Sequence, residues 1–61
     1  MGSNSDIVEY IKNNLDDLDP LVNGDERPND LMDCGYLDGS WNTLVEILTK
    51  MGVEHHYKQV L

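Results

Sequence analysis

The chain has 61 residues, a formal net charge of −8 and a single cysteine. That length allows one domain, residues 1–61, with a marginal core of its own; the charge opposes direct nucleic-acid binding and docking on anionic membrane; and the lone Cys34 excludes an intrachain disulfide. No apolar run reaches the roughly 18–20 residues that a bilayer span requires.

Met1-Gly2-Ser3 reads as a vector-derived leader, with residues 1–4 disordered or part of that leader. The first helix is expected after Ser5, whose side chain can accept from the open amides of the first turn. Asp6 and Glu9 complement the positive end of that helix. Ile7, Ile11, Leu15 and Leu18 recur at helical intervals and make one apolar stripe, widened by Val8. Asp19-Pro20 is the predicted stop, because the residue before proline is pushed away from helical geometry.

Residues 21–27 contain the turn dipeptide Asn23-Gly24 and read as a surface connector. Asn29 then caps a short helix running through Cys34, with Leu31 and Met32 on its buried side and Gly35 as its stop. Asp38 or Ser40 is the next predicted cap. Behind it, Trp41, Leu44, Val45, Leu48 and Met51 fall on one helical face. Gly52 is placed to take the left-handed conformation past the helix end, with Val53 folding back. Val53, Tyr57, Val60 and Leu61 follow at helical intervals; strand alternation would bring His55 and Gln59 to the buried side. The expected fold class is therefore all-α, a small bundle of three to four short helices around Trp41.

Charge is distributed unevenly along the chain. Asp16, Asp17, Asp19, Asp25, Glu26, Asp30, Asp33 and Asp38 face one base, Arg27, so residues 16–38 carry a net −7 of the total −8. A field concentrated in this way steers basic partners. These eight residues are the expected partner-binding surface. Tyr36 and Leu37 are the expected apolar anchors, because aromatic and apolar contacts concentrate binding energy. The partner is expected to be another protein with a basic surface, bound by a small inhibitor or regulator, with mimicry of nucleic acid as one form of the interaction. Self-association to a homodimer is a further expectation for so small a core.

Chemistry-bearing patterns are sparse. A calcium loop laid on Asp19 places Asn23 and Gly24 correctly but puts Leu21 at a ligand position and Asp30 where a glutamate is normal. Cys34, His55 and His56 lack metal-motif spacing, since neighbouring helical residues point about 100° apart. A Cys34–histidine pair would need a substrate cleft that a core this small has little room to build. The expectation is a non-enzymatic protein without metal or cofactor, in the reducing, cytoplasmic setting that one unpaired thiol suits.

Two stretches resemble known families. Leu31-Met32-Asp33-Cys34-Gly35-Tyr36 resembles the first-helix end and Met-Gly-Phe/Tyr loop of ubiquitin-associated domains, with Cys34 in the methionine's place. That resemblance implies a binding patch for ubiquitin or a peptide at Cys34, Gly35, Tyr36, Val60 and Leu61. Leu37-Asp38-Gly39-Ser40 is similar to the carrier motif of acyl carrier proteins, which implies Ser40 as a phosphopantetheine site; there Gly39 separates the aspartate from the serine.

Overall fold

The computed structural model describes residues 3–60. Met1, Gly2 and Leu61, on which the leader and terminal-patch readings rest in part, lie outside the described residues; Ser3 and Asn4, placed in a disordered or leader segment by the sequence, belong to the first helix. The fold is all-α: helix α1 (Ser3–Val22) and helix α2 (Leu31–Lys50) pack against each other as a hairpin. Residues 53–60 follow as an extended tail without regular secondary structure. The hairpin thus replaces the expected three to four helices, and three local differences account for it.

Helix α1 begins at Ser3, so Ser5 lies in its first turn instead of capping it, and it runs through Pro20 to Val22. Proline lacks only the N–H that would serve the Asp16 carbonyl, a tolerable loss this close to the helix end. Two interactions hold the last turn beyond it. Val22 is buried in the core, and the Asn23 amide donates to the Asp19 carbonyl at 2.7 Å. Gly24 passes close to Pro20, where an added Cβ would lie 2.8 Å from the proline Cα, so the turn requires glycine.

The second difference is larger. Gly35 does not stop a short helix; α2 continues through Gly35 and Gly39 as one 20-residue element. Its cap is Asp30, not Asn29, Asp38 or Ser40: the Asp30 carboxylate accepts from the Met32 amide at 2.8 Å. Asp33 in the first turn and Lys50 in the last complement the dipole. Cys34, Leu37, Trp41, Val45 and Leu48 form an unbroken inward stripe at spacings of three and four. Its packing against α1 offsets the glycine cost of about 1 kcal/mol each.

The core consists of Ile11, Leu15 and Val22 from α1 with Trp41, Val45 and Leu48 from α2. Leu15 and Leu48 are fully buried. Each such aliphatic side chain contributes about 1.5–3 kcal/mol. Leu31 and Met32, expected on a buried side, are exposed instead.

α2 ends as anticipated. Gly52 has φ of 76°, and the amides of Gly52 and Val53 donate to the carbonyls of Thr49 and Leu48 at 3.0 and 3.1 Å. These paired bonds close the helix end and turn the chain back. The third difference then appears: residues 53–60 are extended, not helical. Val53, His55 and Tyr57 are half-buried and alternate with exposed neighbours, so His55 does join the inner side. Without a ladder, the Lys58 and Val60 backbone groups are satisfied by side chains of α2, and the Tyr57 amide by His55 Nδ1. Trp41 Nε1 donates to the Lys58 carbonyl at 2.7 Å. Asn42 accepts from the Val60 amide at 2.7 Å and donates to the Val60 carbonyl.

Candidate interaction surface

The acidic residues occupy four settings. On α1, Asp16 accepts the Tyr57 hydroxyl at 2.8 Å, and Asp19 accepts from the Asn23 side-chain amide at 3.0 Å. Both line an open cleft of about 410 Å³ between α1 and the tail, beside Trp41 and His56. Tyr57 has its hydroxyl pKa pushed up to about 12, first by burial, then by the bond to Asp16 and the nearby charges of Asp16 and Asp19. Asp17 lies about 100° round the helix from Asp16, exposed on the outer side of α1.

Asp38 is the setting where charge is cancelled. Arg27 grips it with both guanidinium nitrogens, at 2.9 and 2.8 Å, while also donating to the Val22 carbonyl at 3.0 Å. The paired bond holds the Asp38 carboxyl below its ordinary range and Arg27 above its own. The contact also sets the register of the hairpin: Asp38 stands level with the end of α1. Residues 31–36 therefore run past the end of α1 by about 10 Å, at 1.5 Å per residue, alongside the connector at Pro28.

The remaining carboxylates divide between the connector and that projecting end. Asp25 and Glu26 sit in the connector, Asp30 caps α2, and Asp33 is in its first turn. Among the described residues, Asp25, Glu26 and Asp33, like Asp17, have no hydrogen-bond or ion-pair partner for their side chains. The expected anchors separate. Tyr36 is 75% exposed, whereas Leu37 turns inward and packs on the core.

Leu31 and Met32 are the residues that sequence reasoning missed, at 85% and 83% exposed. Reading α2 as continuous would have placed Met32 opposite Trp41 and beside Tyr36, with Leu31 at the edge between that face and the inner stripe. Gly35 and Gly39 share that outer face, and a Cβ at either would meet nothing within 4 Å.

The loop implied by the ubiquitin-associated resemblance is absent, since Cys34, Gly35 and Tyr36 are helical. Cys34 is half-buried and its thiol donates to the Pro28 carbonyl at 3.1 Å. Ser40 lies mid-helix, half-buried, instead of opening a helix. Among the described residues no group of three or more His, Cys, Asp or Glu side chains is arranged to hold a metal ion, and no helix is long and apolar enough to cross a membrane. The chain matches no protein-family model, and no curated protein or solved structure is significantly similar to it.

Proposed function

We propose that this protein is a non-enzymatic interaction module that docks on a basic surface of another protein and acts as a small inhibitor or regulator. One observation carries the reading: Leu31, Met32 and Tyr36 are exposed on the projecting end of α2, in a stretch of chain that also carries the unpaired acids Asp25, Glu26 and Asp33. Apolar side chains supply affinity there, while the carboxylates raise association rate and select against acidic partners.

The test is capture from a cell extract with the intact chain, repeated across salt concentrations and with Glu26→Lys and Asp33→Lys together. Asp30 is left alone because its carboxylate caps α2. A partner that is lost on raising salt and lost with the charge-reversed chain is the expected result. Capture that survives both changes overturns the reading.

A further inference from the structure

The outer face of the first three turns of α2 is free of charge. At 100° per residue, Leu31, Met32, Gly35, Tyr36, Gly39 and Thr43 fall within one sector of about 140°, which Asn42, bound to the tail at Val60, bounds at its far end. That sector lies opposite the buried Trp41, Val45 and Leu48. We propose that this face seats a helix of another protein, amphipathic, with an apolar stripe flanked by Lys and Arg. The inference rests on the interaction reading above and names the kind of partner.

Shape supports a helix. From residue 31 to 43 the face is about 18 Å long, three turns or more. Gly35 and Gly39 leave a saddle at its centre, with open space where side chains would stand. Leu31 and Met32 bound the saddle at one end and Tyr36 flanks it. A helix laid there approaches more closely than the ordinary interaxial distance of about 8–10 Å.

Charge decides among occupants. Residues 28–45 contain Asp30, Asp33 and Asp38 and no Lys, Arg or His, and the nearby Arg27 is occupied by Asp38. A second copy would bring the same acids against one another, and an anionic lipid surface would be repelled. Arg27 neutralises Asp38 on one flank, so a helix with basic flanks meets opposite charge at Asp30 and Asp33, toward the start of α2.

The test uses the intact chain and a fluorescent 18-residue peptide of Leu, Ala and Lys with the apolar residues at helical spacing. A scrambled peptide of the same composition carries equal charge without the stripe. The patterned peptide is expected to bind at least tenfold more tightly than the scrambled one and to become helical on binding. Gly35→Gln with Gly39→Gln fills the saddle with polar side chains that favour helix, so the fold survives; patterned binding is expected to fall at least tenfold. Equal binding of both peptides, or unchanged binding by the double glutamine chain, overturns the helix seat. If salt sensitivity and dependence on Glu26 and Asp33 persist in that case, the broader docking reading stands. Binding indifferent to salt and to Glu26→Lys/Asp33→Lys removes both. Concentration-dependent dimerisation that the glutamine pair abolishes also overturns the proposal, with a second copy as the occupant.

Discussion

The Tyr57 hydroxyl donates to Asp16 at 2.8 Å, joining the tail to α1 across 41 positions of sequence. The same ring meets Trp41 edge-to-face at a centroid distance of 5.8 Å, so one side chain bridges both helices. Tyr57→Phe keeps the ring contact and removes the hydroxyl bond, and is expected to cost about 1 kcal/mol. The pH response has a definite sign. With a folded pKa of about 12 against an ordinary 10.0, the unfolded chain loses this proton first. Stability from the hydroxyl is therefore complete below pH 10 and disappears as pH rises through 12. Thermal melts from pH 8 to 12 should fall more steeply for the native chain than for Tyr57→Phe.

Arg27 and Asp38 give the opposite dependence. The arginine's paired hydrogen bonds lower the Asp38 pKa, so the unfolded chain takes up this proton first as pH falls. The contribution is present above the ordinary value of 3.8 and is lost as pH drops through the folded pKa. Asp38→Asn should lower the melting temperature at neutral pH and flatten the acid limb below pH 5. Arg27→Lys should behave similarly, because a lysine ammonium cannot reproduce the two-pronged grip.

Gly35 and Gly39 sit inside a helix with space around them. Replacing either by Ala should stabilise the fold by about 0.5–1 kcal/mol, since glycine weakens a helix interior and no clash offsets the gain. Urea midpoints measured for both single variants would show the rise. A loss of stability would mean that α2 is interrupted there, as the glycines taken alone suggest.

What could be read from the sequence depended on whether local signals agreed. Gly52 combined a helix end, an open backbone and a following Val53, so the closing turn was legible. At Pro20 and Gly35 a breaker competed with burial that only the paired helices reveal: Val22 fills the core beyond the proline, and Trp41 continues the stripe begun by Cys34 and Leu37. The tail was misread because Val53, Tyr57 and Val60 fit helical spacing. Its real partners are single side chains of α2, which leave no periodic trace. For the acidic surface, composition located the carboxylates. It did not separate Asp38, held by Arg27, and Asp16, held by Tyr57, from the unpaired Asp25, Glu26 and Asp33. Leu31 and Met32 were lost as surface residues once α2 was divided.

Asn42 is the residue on which the tail's course depends most directly. Its side chain accepts from the Val60 amide and donates to the Val60 carbonyl, matching both groups that a neighbouring strand would otherwise satisfy. Asn42→Ala leaves both half-buried groups without a protein partner and should cost about 1–2 kcal/mol. Asn42→Asp is the sharper variant: it keeps the acceptor for the amide but sets a negatively charged oxygen against the carbonyl, and should be no more stable than the alanine. In both, the outer tail should detach and carry Lys58 away from Trp41, whose Nε1 donates to that carbonyl at 2.7 Å. Hydrogen exchange at the Val60 amide should accelerate, and Trp41 emission should shift to longer wavelength while helix content is retained. Unchanged exchange and emission in both variants would show that Tyr57 and Trp41 hold the tail without the Asn42 bonds.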